Sequence, residues 1–183
     1  MKKQVLFIHS AGAQGIHQGS SDLIAYLKDT LHDDYHLIYP IMPNPEDPKY
    51  VLWEAQLEKE LMMLDDEVII IGHSLGGSVL LKYLSEKTIP CSISGLFIIA
   101  APYWGKDKDW QASDYILSEN FAAKLPTIPK IFLYHSIHDK VVPFTHFKHY
   151  KQKLPMANTQ ILNGNEHDFS NGLPKLVNDI KGL

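Results

Sequence analysis

The sequence has a single cysteine, Cys91, among 183 residues, which excludes an intramolecular disulfide and points to a reducing compartment, so the cytoplasm is the expected location. Long apolar runs are also missing. Val5 to Ile8 is too short for the apolar centre of a signal peptide, and nothing approaches the roughly 18 residues of a membrane span, so no membrane partner is expected. Charge of one sign is not in great excess: the formal net charge is −4, and the 17 basic residues are scattered singly and in pairs, which argues against a nucleic-acid partner. With no internal repeat, low-complexity tract or linker, the chain is expected to form one domain over 1–183, long enough for one packed core and too short for a separate substrate domain.

What is present is a regular alternation. Short β-rich runs at Val5–His9, Tyr35–Tyr39, Val68–Ile71, Gly95–Ala100, Ile131–His135 and Thr159–Leu162 are separated by segments of helical period. Those segments are Ser21–Leu31, Tyr50–Leu64, Leu75–Glu86, Asp114–Leu125, Thr145–Lys153 and Leu173–Ile180. Strands joined by crossover helices define the α/β class, and the almost wholly apolar third and fourth runs suit central strands buried on both faces. The longest interruption, 102–129, carries Tyr103, Trp104, Trp110, Tyr115 and Phe121. It reads either as a small lid over a site or as an excursion helix whose aromatics pack on the sheet.

Chemistry enters at Gly72-His73-Ser74-Leu75-Gly76, a G-x-S-x-G pattern that follows a strand and opens a helix. A turn sharp enough to hold a serine hydroxyl above the strand ends leaves no room for side chains two residues to either side, and glycine at 72 and 76 meets that demand. The following helix aims its amino end at the same place, so the Leu75 N–H is expected to stabilise an oxyanion.

A serine hydroxyl is a weak nucleophile and needs a base, which in turn needs an anion to fix its tautomer. Of the ten histidines, His167 follows the last strand across a polar, glycine-containing loop, and Asp139 follows the fifth strand. Both positions lie where ligands of open α/β sheets gather, and the order Ser74, Asp139, His167 is the one expected of this arrangement. Asp168 and Glu166 are rivals for the acid, although Asp168 would more naturally precede or cap the final helix. A second oxyanion donor is expected from the loop after the first strand, at the Ala11 N–H with Ser10 close behind. Ser10, His73, Tyr103 and Trp104 are the expected pocket residues. The His135/His138 and His146/His149 pairs have three-residue spacing but no completing carboxylates or cysteines, so neither a metal nor another cofactor is expected.

The run Gly72 to Gly77, the Asp139 loop and the His167 loop together resemble the α/β-hydrolase superfamily over nearly the whole chain. Met42-Pro43-Asn44-Pro45, followed by Trp53 and Leu57, further resembles the compact serine hydrolases typified by retinoblastoma-binding protein nine and its bacterial relatives. The resemblance implies a three-layer α/β/α sandwich around a mostly parallel six-stranded sheet in the order 2-1-3-4-5-6. It also implies hydrolysis of a small-molecule ester or related acyl compound through a Ser-His-Asp triad and an acyl-enzyme. Ser10 departs from the glycine many relatives carry in this loop, and no Leu-x-Cys-x-Glu motif surrounds Cys91, so no retinoblastoma-type partner is implied. The competing expectations are transfer of the acyl group to an acceptor other than water, and a non-catalytic interaction protein presenting Tyr103 to Phe121.

Overall fold

In a computed structural model, which describes residues 2–32, 34–64 and 67–183, the described residues form a six-stranded sheet in the order β2-β1-β3-β4-β5-β6, with every neighbouring pair parallel. The strands are β1 (Lys3–Ile8), β2 (Tyr35–Ile38), β3 (Glu67–His73), β4 (Ser92–Ile99), β5 (Ile131–Ser136) and β6 (Asn158–Leu162). Six α-helices connect or follow them: α1 (Ser21–Leu31), α2 (Tyr50–Leu61), α3 (Leu75–Glu86), α4 (Phe121–Lys124), α5 (Phe144–Lys153) and α6 (Pro174–Lys181).

The strand sequences explain the layers. Side chains alternate across a strand, so Leu6, Ile8, Val68, Ile70, Leu96, Ile98, Ile131 and Leu133 share one buried face with Trp53 and Leu57 of α2, Val79 and Leu80 of α3, and Phe147 and Tyr150 of α5. Val5, Phe7, Ile69, Ile71, Phe97, Ile99, Phe132 and Tyr134 face the other way, onto Leu23 and Leu27 of α1 and Leu176, Val177 and Ile180 of α6. Each such buried aliphatic side chain contributes about 1.5–3 kcal/mol relative to an exposed one, and the two faces together hold the helices against the sheet.

One expected helix is corrected. Over 114–125 the chain instead makes a 3₁₀ turn at Ser113–Tyr115, an extended stretch, and the single helical turn α4. Tyr115 and Leu117 are buried while Ile116 between them is 40% exposed, an in-out alternation that only an extended backbone satisfies, and Ile116 has ψ of 127°. Helix α2 also stops at Leu61, three residues short of the expected end, and leaves Met62 and Met63 exposed.

Candidate functional site

Strand β3 runs into α3 through Ser74, whose φ of 51° and ψ of −121° lie in a region that side chains other than glycine rarely adopt. Such a residue costs on the order of 1–3 kcal/mol and persists only where its surroundings enforce it. They do so here from both sides. The Ser74 N–H donates to Ile99 O of β4 at 2.8 Å, and Ser74 O accepts the Gly77 N–H at 3.0 Å. A Cβ on Gly72 would lie 2.7 Å from the Gly77 backbone, and one on Gly76 would run into the backbone of Ile8 and His9, so the turn closes only with glycine at both places.

The turn brings the Ser74 hydroxyl to 3.1 Å from His167 Nε2, while His167 Nδ1 lies 2.8 Å from Asp139 Oδ2. A carboxylate can only accept, so Nδ1 carries the proton and the Nε2 lone pair faces Ser74. The ring is thus arranged to take the serine proton. Asp139 is held in turn: its Oδ1 accepts the Val141 and Val142 N–H groups at 2.8 and 2.9 Å. Burial pushes the Asp139 carboxyl up, but the hydrogen bond and charge of His167 and the two valine amides outweigh it and hold the group below the ordinary carboxylate range.

Two further residues steady this end of the site, one of them, His135, considered from the sequence only as half of a spaced histidine pair and the other, Ser136, not singled out at all. Buried His135 donates from Nε2 to Val142 O at 2.8 Å, closing the Asp139 loop from beneath, and burial lowers its pKa so that the ring stays neutral. Ser136 Oγ donates to Glu166 O at 2.6 Å, tying the end of β5 to the His167 loop.

Ser74 and His167 open onto a cavity of about 240 Å³. Ser10, Ala11 and Leu75 form its floor beside the serine; Trp104, Trp110 and Tyr115 form an aromatic wall contributed by the 102–129 segment; Pro48, Val141 and Asp168 complete the rim. The Trp104 ring lies 4.8 Å from Tyr115 and 5.1 Å edge-on to Trp110, and its Nε1 donates to Ser78 Oγ of α3 at 3.2 Å. The wall is therefore pinned to the helix that follows Ser74.

Of the expected pocket residues, Ser10 and Trp104 line this cavity. His73 and Tyr103 are corrected. His73 follows Ile69 and Ile71 at two-residue spacing on β3 and is fully buried against Ser20, His167 and Phe169, and Tyr103 turns into the core against Phe121 and Tyr150. The two oxyanion candidates in the first loop also separate: the Ser10 N–H is taken by Ser20 Oγ at 2.9 Å, whereas Ala11, like Leu75, lines the cavity. Leu75 is the first residue of α3, so its N–H has no intrahelical acceptor. Asp168 lies at the cavity rim rather than capping the last helix, whose N-cap position is Leu173.

Among the described residues, one group of three, His73, His167 and Asp168, brings ligand-type atoms within 4.8 Å of one another. All four ring nitrogens of its histidines are already hydrogen-bonded, so an ion would have to break that network. The spaced pairs do not converge either. His135 is buried and His138 exposed, while His146 accepts the Tyr103 N–H at Nδ1.

Comparison with solved structures places this fold beside several hydrolases. The ydeN gene product of B. subtilis is 20% identical with a TM-score of 0.78, over 99% of this chain and 98% of that one. A serine hydrolase involved in carbazole degradation is 15% identical with a TM-score of 0.73, over 98% and 90%. An esterase from Exiguobacterium antarcticum is 13% identical with a TM-score of 0.68, over 98% and 91%. At these identities the likeness concerns the fold, which is that of the α/β hydrolases. Among curated proteins none matches. The family model described as serine hydrolase matches residues 28–168, most of the chain and all three members of the Ser74, Asp139 and His167 relay, and the chain belongs to that family.

Proposed function

We propose that the protein hydrolyses esters of small, uncharged acyl groups through an acyl-enzyme on Ser74. The observation that carries this reading is the continuous hydrogen-bonded relay from Asp139 through His167 to Ser74, opening on a cavity whose wall is aromatic. His167 Nε2 takes the Ser74 proton as Oγ attacks the acyl carbon. The carbonyl oxygen becomes an oxyanion facing the Leu75 and Ala11 N–H groups, each worth about 2–4 kcal/mol in the transition state. Collapse of this intermediate expels the alcohol, which leaves with the proton from His167. A water molecule then gives its proton to His167, attacks the acyl carbon, and releases the acid as Ser74 regains its hydrogen. Asp139 holds the ring in the required tautomer and stabilises its charged form.

Cavity size bounds the acyl group. The cavity, about 240 Å³, is smaller than the roughly 300–1,000 Å³ of pockets that take drug-sized ligands. It accommodates a short acyl chain and part of the alcohol. Among the described residues that line it there is no lysine or arginine to offset a negative charge, and Asp168 on the rim disfavours an anionic acyl group. We read 102–129 as a small cover belonging to the same domain. Cys91, half-buried and with its thiol pKa raised by burial, is compatible with work in the cytoplasm.

Nitrophenyl esters of two, four, eight and twelve carbons, assayed on the protein and on Ser74→Ala, test the reading. The expected result is highest kcat/KM at two or four carbons and loss of all turnover in Ser74→Ala. Turnover retained by that variant would remove Ser74 from the mechanism. An increase only in the presence of an added alcohol or amine acceptor would make the protein an acyltransferase instead.

A further inference from the structure

His73 and Ser20 lie outside the Ser74, His167 and Asp139 relay, yet the structure connects them to both of its flanks. His73 Nε2 lies 2.8 Å from the backbone oxygen of His167. A carbonyl only accepts, so Nε2 carries the proton and Nδ1 is bare. Nδ1 lies 2.7 Å from Ser20 Oγ and accepts its hydroxyl proton. Ser20 Oγ in turn accepts the Ser10 N–H at 2.9 Å, and, with its single proton given to His73, its 3.1 Å contact with Ser10 Oγ is made with the Ser10 hydroxyl as donor. All three side chains are buried. Complete burial first, and the neighbouring His167 ring second, hold the His73 pKa down at about 3, so the donor to His167 O keeps one form at any ordinary pH.

Ser20 supplies an independent sign that the arrangement serves more than local folding. It stands at the N-cap of α1, where a serine ordinarily turns its hydroxyl onto an amide of the first helical turn. Here the side chain makes no capping bond and points inward to Ser10 and His73. Helix α1 forgoes its cap, and the loop after β1 gains a fixed anchor.

We propose that His73 and Ser20 are positioning residues which hold the Ala11 loop and the His167 loop in register on either side of Ser74. The inference rests on the esterase reading above. By occupying the Ser10 amide, Ser20 directs the next amide, that of Ala11, to the cavity. By holding His167 at its backbone, His73 fixes the height of the imidazole over the serine. A displacement of about 1 Å at either place is enough to cost on the order of a hundredfold in rate, while substrate affinity depends on the aromatic wall and is not touched.

The test is kcat, KM and melting temperature for the full-length variants Ser20→Ala, His73→Leu and His73→Gln with nitrophenyl acetate. Ser20→Ala and His73→Leu are expected to lose at least about tenfold in kcat with KM within about twofold, because only transition-state geometry is disturbed. His73→Gln keeps an N–H donor for His167 O and is expected to recover kcat to within about threefold of the parent. Ser20→Ala removes a single oxygen and decides the matter if His73→Leu does not fold. A lower melting temperature with unchanged kcat in Ser20→Ala would show a purely structural role and overturn the proposal. Equal loss in Gln and Leu variants would overturn the part assigned to the His73 donor. If nitrophenyl acetate turnover survives Ser74→Ala, the esterase reading falls and this inference with it; if Ser74 is required and the Ser20 and His73 variants turn over normally, only the positioning role fails.

Discussion

Replacing Gly76 by alanine perturbs the site through the backbone alone. The added Cβ would stand 2.6 Å from His9 O and closer still to Ile8 O, both main-chain atoms at the end of β1. Ordinary contact begins at 3.4 Å, so at His9 the shortfall is about 0.8 Å, and no rotamer relieves it. Either α3 retreats, taking the Leu75 N–H with it, or the end of β1 yields and carries Ala11 away. Each movement takes a proposed oxyanion donor out of the 2.7–3.1 Å window in which such groups act, for an expected loss of about 10²–10³ in kcat. Overpacking should also cost about 1–3 kcal/mol of stability. Steady-state kinetics with nitrophenyl acetate and urea unfolding measure the two effects separately. Gly164→Ala is the control, since a Cβ there meets nothing within 4 Å, and it should leave both quantities unchanged. Parental kcat in a folded Gly76→Ala protein would refute the claim that the β1 and α3 ends together frame the oxyanion.

Three further outcomes are expected. In Asp139→Asn the amide oxygen can keep the Val141 and Val142 N–H groups, so the NH₂ faces His167 Nδ1, forces the proton to Nε2 and blocks the base. The expected loss is about three to four powers of ten in kcat at little change in KM, and a loss under about tenfold would contradict the tautomer assignment. Buried His73 has a pKa lowered from 6.5 to about 3, so the unfolded chain binds a proton that the folded chain excludes. Its contribution is complete above pH 6.5 and declines as the pH falls; by pH 5 about 2 kcal/mol is lost, which urea unfolding of the parent and His73→Gln at pH 7.5 and 5 would detect as a smaller pH effect in the variant. Trp104→Ala opens the aromatic wall and should shift the ester preference toward longer chains, read as the ratio of octanoate to acetate kcat/KM; an unchanged ratio would remove Trp104 from the acyl pocket.

The layers of the fold were legible because their signal is local and repetitive. Continuous apolar runs such as Val68 to Ile71 mark strands buried on both faces, and the helical period of Ser21–Leu31 or Leu75–Glu86 survives intact in the structure. The Ser74 turn was equally readable, since G-x-S-x-G between a strand and a helix has few other uses. Legibility ended where burial depends on distant partners. Leu117 and Phe121 stand four apart, a spacing that also fits a helix, whereas the packing of Tyr115 against Tyr50 and Trp104 and of Phe121 against Tyr103 belongs to the extended path. Ser20 is 53 residues from His73 and His73 is 94 from His167, so no local pattern announces their network. His73 also shows why adjacency misleads: it ends β3 fully buried, while Ser74 next to it belongs to the turn and lines the cavity.

The most direct measurement is the intact mass of the protein, and then of its peptides, after treatment with a fluorophosphonate. One adduct per chain is expected, on the peptide carrying Ser74, with its rate of formation falling by orders of magnitude in His167→Ala and no adduct at all in Ser74→Ala. An adduct on a different residue, or labelling of Ser74→Ala at the parental rate, would contradict the assignment of Ser74 as the nucleophile.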